Sequence, residues 1–143
     1  MFIDGITYAA VSKNLAAGVG TFWFPRYSYC GIAGLSAFHE HPPLVIGIQA
    51  GFFRLLGNGL YTERIYSLTT ALAAAALILA FWREIFASES DLKPLAWLPV
   101  VLWLLTPIVF WTYRSNMMEN TMSIFILASI YLVFRGVEEK KIF

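Results

Sequence analysis

Six residues near the start of the chain have side chains suited to proton transfer or phosphate binding: Asp4, Tyr8, Asn14, His39, Glu40 and His41, the last three running into Pro42-Pro43. Carboxylates supply general acids or bases, and phenol, amide and imidazole groups supply hydrogen-bond donors for a phosphate. The plain alternative is a set of solvated loop polars. His39-Glu40-His41 also suggests a divalent metal site, because imidazole and carboxylate are both good ligands. Pro42 pushes His41 toward an extended conformation, in which alternate side chains lie on opposite sides. The two histidines then share a side that Glu40 does not.

These groups have to be positioned by an unusually apolar chain. Of its 143 residues, 59% are hydrophobic and 13% charged, against about 45–50% and about 25% in a soluble domain. A net charge of +1 lacks the basic footprint of a nucleic-acid binder. No charge falls between Arg64 and Arg83, or between Lys93 and Arg114, and each run approaches the roughly 20 apolar residues that cross a bilayer. A third run, Thr121 to Phe134, reaches that length if it is counted back to Ser115, which leaves Glu119 near its end. The sequence predicts an all-α membrane fold of about three transmembrane helices, near 64–83, 94–113 and 117–135. Residues 1–60 form a surface region with interfacial helices, and 61–143 the membrane part.

Within the surface region, Ile6, Ala10, Val11 and Leu15 predict a short amphipathic helix. The aromatic crowding from Phe22 to Tyr29 suits a membrane interface, and Trp23 alone lies where a sugar would stack. Pro43 to Phe53 is short for a span and is expected to be interfacial or re-entrant. Cys30, the single cysteine, reads as a small apolar filler. Met1-Phe2-Ile3-Asp4 has neither the basic nor the apolar region of a signal peptide. The basic tail with Arg135, Lys140 and Lys141 is assigned to the cytoplasm, so three spans place Asp4, Glu40 and Glu119 together outside, in a multi-pass plasma (inner) membrane protein. For Arg64 and Arg114 the ordinary role is that of snorkelling interface anchors.

The residues resemble a family. Asp4-Gly-Ile-Thr-Tyr8-Ala9, Lys13-Asn14-Leu-Ala, Phe24-Pro25, Phe38-His-Glu40-His-Pro42-Pro43-Leu44, Leu55-Leu56-Gly57, Glu63-Arg64, Arg83 and Asn116-Met-Met-Glu119-Asn120 look like the N-terminal part of the GT-C membrane glycosyltransferases. The branch is that of dolichyl-phosphate-mannose protein mannosyltransferases and lipid A aminoarabinose transferases. The resemblance implies a partial GT-C fold and inverting transfer of a sugar from a polyprenyl-phosphate carrier to a glycan, lipid or protein hydroxyl on the non-cytoplasmic face. It assigns Asp4 as general base and Glu40 and Glu119 as further acidic site residues; candidates toward the phosphate are His41 and Tyr8, with Arg64 or Arg114 as the alternative source of positive charge. Where the family commonly has Glu-Lys-Pro-Pro this chain has His41 in place of the lysine, and an unperturbed histidine is mostly neutral at pH 7.

The resemblance further implies an incomplete piece of a longer enzyme, expected to bind poorly and not to turn over by itself. A small non-catalytic membrane subunit docking on partner helices is the alternative, and it predicts that Asp4→Asn leaves function untouched.

Overall fold

The computed structural model describes residues 3–27 and 37–140, without the side chains of 138–140. Cys30, the stretch 28–36 and Lys141 therefore lie outside the described residues. The elements are all helical: α1 (Ile3–Ala16), α2 (Pro43–Leu56), α3 (Leu60–Ile85), a 3-10 turn (Lys93–Ala96) leading into α4 (Trp97–Leu104), α5 (Pro107–Arg114) and α6 (Met118–Lys140). Two isolated β-bridges, Gly20 with Pro25 and Arg26 with Ala37, pin the loop between α1 and α2.

Two helices, Leu60–Ile85 and Met118–Val137, are long and apolar enough to cross a membrane. They run parallel, because their contacts advance together along both. Tyr66 Oη meets Thr121 Oγ1 at 2.5 Å near the start of each. Further along, Phe81 packs on Tyr131 and Phe134, with ring centroids 6.3 and 5.5 Å apart, and Glu84 faces Arg135 at 3.8 Å.

Parallel neighbours need a return leg, and α4 with α5 supplies it. At one end Trp82 Nε1 donates to the Leu92 carbonyl at 2.8 Å; at the other, Arg64 Nη1 donates to the Arg114 carbonyl at 2.8 Å. From Arg64 to Trp82 the α3 axis advances about 27 Å, close to the thickness of a hydrocarbon core. The return leg therefore covers the length of α3 and is a broken span rather than a re-entrant loop.

The middle span differs from the continuous helix expected over 94–113. It bends by 70° between its two halves. Pro107 opens α5 and holds Thr106 extended, at φ −71° and ψ 121°, because a residue preceding proline is driven out of the helical region. Pro99 lies in the first turn of α4, where a missing N–H costs no helical hydrogen bond.

At the α1 end of this bundle α1 and α2 pack on each other. Their shared core is Tyr8, Val11, Phe38, Val45, Ile46 and Met118, with Leu15 and Tyr27 against it. Burying aliphatic and aromatic side chains of this kind stabilises by roughly 1.5–3 kcal/mol each. α2 ends at Gly57, whose φ of 83° is left-handed and open to glycine at little cost. Half of the expected α1 stripe faces inward, since Val11 is buried and Leu15 packs on the core, whereas Ile6 and Ala10 are exposed and Gly5, Tyr8, Ala9 and Ser12 are buried in their place. Specific contacts outweigh hydrophobicity here. Ser12 Oγ donates to Gln49 Oε1 of α2 at 2.9 Å, and a Cβ at Gly5 would overlap the Ser115 carbonyl oxygen.

Candidate active site

The close approach at Gly5 sets the site. It lays the first turn of α1 against the junction of α5 and α6, where Asn116 turns the chain at φ 55° and Met118 begins α6. Asp4, half-buried, stands in the first turn of α1 and Glu119 in the first turn of α6. Both favour the positive end of their helix dipole.

One turn beyond Asp4, the Tyr8 phenol is buried at 5% exposure. Its pKa is raised, first by burial and then by the charges of Glu119, Asp4 and Glu40. The charges of all three acids read from the sequence thus act on one hydroxyl, although 115 residues separate the first from the last. Tyr8 Oη also lies 3.5 Å from His41 Nε2.

His41 is held as an aromatic. Its ring stacks on Phe38 at 5.8 Å and 12° and meets Tyr8 edge-on at 5.4 Å. Its Nδ1 is buried with no hydrogen-bond partner among the described residues. Glu40 is exposed, and Tyr27 Oη donates to its Oε1 at 2.6 Å. His39 instead meets Phe24 edge-on at 5.9 Å.

The three residues considered as metal ligands accordingly diverge. His39, Glu40 and His41 take different partners, and among the described residues no three His, Cys, Asp or Glu side chains gather into a set that would hold a metal ion. Adjacency along an irregular segment does not bring side chains to a point.

Arg64 and Arg114 are both exposed. Arg64 caps α5 through the Arg114 carbonyl. Trp23 is exposed and packs edge-on against Phe22 at 5.1 Å.

Three residues that sequence reasoning left without a role, Lys13, Glu63 and Tyr27, frame the site together with Asn14. Lys13 Nζ is paired with Glu63 Oε1 at 2.6 Å, joining α1 to α3, and Asn14 Nδ2 donates to the carbonyls of Arg26 and Tyr27 at 3.0 and 2.9 Å. Tyr27 in turn holds Glu40. One signal for the ion pair was in the sequence: Glu63 stands beside Arg64 at the edge of an uncharged run of spanning length, where a carboxylate entering the apolar layer needs a partner.

Beside this polar cluster opens an apolar groove of about 240 Å³, its walls including Pro42, Val45, Met118, Met122, Phe125 and Ile126. Pro42 and Met118 directly adjoin His41 and Glu119 in the chain.

No curated protein and no solved structure matches the chain. Residues 40–143 match the dolichyl-phosphate-mannose-protein mannosyltransferase family, a stretch that takes in Glu40, His41, Glu119 and every membrane-spanning helix but leaves α1 outside. With most of its length so matched, the chain belongs to that family, which makes it a membrane glycosyltransferase by descent.

Proposed function

We propose that the chain takes part in the transfer of a sugar from a polyprenyl-phosphate carrier to an acceptor hydroxyl on the non-cytoplasmic face, inverting the anomeric centre, with Asp4 as general base. The observation that carries this reading is the close packing at Gly5, which lays the first turn of α1 with Asp4 against the start of α6 with Glu119, beside an apolar groove lined by Pro42, Met118 and Met122.

In this reaction the acceptor O–H gives its proton to the Asp4 carboxylate as the oxygen forms a bond to the anomeric carbon. The bond from that carbon to the phosphate oxygen breaks on the opposite face, and its electron pair leaves with the lipid phosphate. Negative charge grows on the phosphate, so donors aimed at it favour the transition state. In this reading the Tyr8 hydroxyl and the His41 ring are those donors, and a raised phenol pKa keeps the Tyr8 proton in place. Glu40 and Glu119 orient acceptor and sugar hydroxyls. The first isoprene units lie in the groove, where each buried CH₂ contributes about 0.8 kcal/mol.

Family membership supports the chemistry through residues 40–143, and the role of Asp4 rests on its position beside Glu119 and Tyr8. The test is transfer of radiolabelled sugar from a polyprenyl-phosphate donor in native membranes. Asp4→Asn keeps the shape of the side chain and removes the base; it is expected to lower kcat by about 10²–10⁴. Wild-type transfer by Asp4→Asn would return the chain to the alternative of a non-catalytic subunit.

A further inference from the structure

Glu40 is exposed, and a free glutamate at a surface samples several rotamers. Here its carboxylate is held by the Tyr27 hydroxyl at 2.6 Å, a charge-assisted bond of the stronger kind. Tyr27 is itself fixed from two directions. Its ring meets Phe38 edge-on at 5.3 Å and 71°, against the core that α1 and α2 share. Its backbone is held from α1, because the two protons of the Asn14 amide reach the carbonyls of Arg26 and Tyr27 together. The Phe38 N–H donates to the Pro25 carbonyl at 2.7 Å, closing the segment on its other side. Asn14 and Asp4 share one helix, ten residues and about 15 Å apart. That helix thus carries one acid directly and sets the second through a loop.

We propose that Tyr27, anchored by Asn14, is a positioning residue that fixes the Glu40 carboxylate relative to Asp4 and Tyr8 for sugar transfer. The inference rests on the glycosyl-transfer reading. A phenol donates only while it keeps its proton. Burial and then the Glu40 carboxylate push Tyr27 up to about 12, so the bond persists through neutral and mildly alkaline solution.

The test uses Tyr27→Phe, which keeps the ring and deletes the O–H, assayed in native membranes with a polyprenyl-phosphate-linked sugar as probe. We expect kcat to fall about 10-fold with an unchanged KM, the size of one hydrogen bond to a charged group. Tyr27→Phe combined with Glu40→Gln is expected to lose no more than Glu40→Gln alone, because Tyr27 acts only through the carboxylate that Glu40→Gln removes. Losses that multiply in the double variant overturn the proposal, since a merely structural tyrosine acts independently of Glu40.

Two readouts stand apart from those rates. The infrared carboxylate band that disappears in Glu40→Gln is expected to shift in Tyr27→Phe, and an unmoved band overturns the proposal whatever the activity. With 3,5-difluorotyrosine at position 27, whose phenol gives up its proton at lower pH, the rate is expected to fall on the alkaline side. An unchanged profile counts against the proposal. Wild-type transfer by Asp4→Asn, together with a shifted band, instead overturns the transfer reading and leaves the contact intact.

Discussion

Lys13 Nζ of α1 lies 2.6 Å from Glu63 Oε1 of α3, and the same ammonium stands 5.1 Å above the centre of the Phe53 ring of α2. One side chain therefore ties together the three helices that meet beside the site. Glu63 keeps only 5% of its surface exposed, so removal of Lys13 leaves a buried carboxylate without its partner.

Breaking a fully buried pair costs about 3–5 kcal/mol. The Lys13 side chain is 29% exposed, so solvent screens part of the interaction and the cost falls toward about 2 kcal/mol. Lys13→Ala is expected to lower the melting temperature of the detergent-solubilised chain, and Lys13→Ala with Glu63→Ala is expected to recover part of the loss. A double variant less stable than Lys13→Ala would contradict the pairing.

Much of this architecture is written in the charge distribution. The uncharged runs marked α3 and the α4–α5 leg because water-to-lipid transfer penalises charge strongly. Which proline would break the return leg was not legible: Pro99 and Pro107 look alike in sequence, and only their offset from a helix start separates a tolerated residue from a 70° bend. The inward face of α1 is legible only at Val11 and Leu15, for another reason. Periodicity equates apolar with buried, whereas this helix turns Ile3 outward at 77% exposure and buries Ser12 and Gly5 in contacts that no hydropathy scale sees. The site was partly legible, since three spans place Asp4, Glu40 and Glu119 at one end. Its framework was not, because Tyr27 with Glu40 and Asn14 with Arg26 are loop contacts set by irregular backbone.

Tyr27 gives the chain a defined alkaline limit. Its pKa rises from 10.0 to about 12 on folding, through burial and the Glu40 contact. A raised folded-state pKa contributes stability that is complete below pH 10 and disappears as pH climbs through about 12. Alkaline unfolding is expected to begin in that window in the wild type. In Tyr27→Phe this contribution is absent at every pH, so stability measured by near-UV circular dichroism is expected to fall less between pH 10 and 12 than it does in the wild type. Identical slopes would remove Tyr27 as the source.

Gly5 is predicted to be the least replaceable residue of α1. A Cβ there overlaps the Ser115 carbonyl oxygen, a backbone atom with little freedom to move, and overpacking of this kind costs about 1–3 kcal/mol. The chain relieves the clash by lifting α1, which carries Asp4 away from Glu119. Gly5→Ala is therefore expected to lose sugar transfer more than stability, seen as a kcat reduced about 100-fold, as small misplacements of catalytic groups allow, in a protein that still melts cooperatively. Gly51, which has open space at its Cβ, serves as the control, and Gly51→Ala should transfer sugar normally.

The three passes along the bundle fix which loops share a side of the membrane. The turn at Gly57-Asn58-Gly59 precedes α3, and the junction at Ser115–Met117 precedes α6. Because α3 and α6 run parallel, these two turns lie at one end, with α1, while Ser88 to Asp91 lie at the other. In a Cys30→Ser background, single cysteines at Ala17 and Asn58 are expected to react together with a membrane-impermeant maleimide applied to one side. A cysteine at Ser90 is expected to react only from the opposite side. Had α4 and α5 formed a re-entrant loop, α6 would start at the Ser90 end, and Glu119 could not stand beside Tyr8. A cysteine at Glu119 labelled together with Ser90 would therefore dismantle the return leg and the carboxylate cluster in one result.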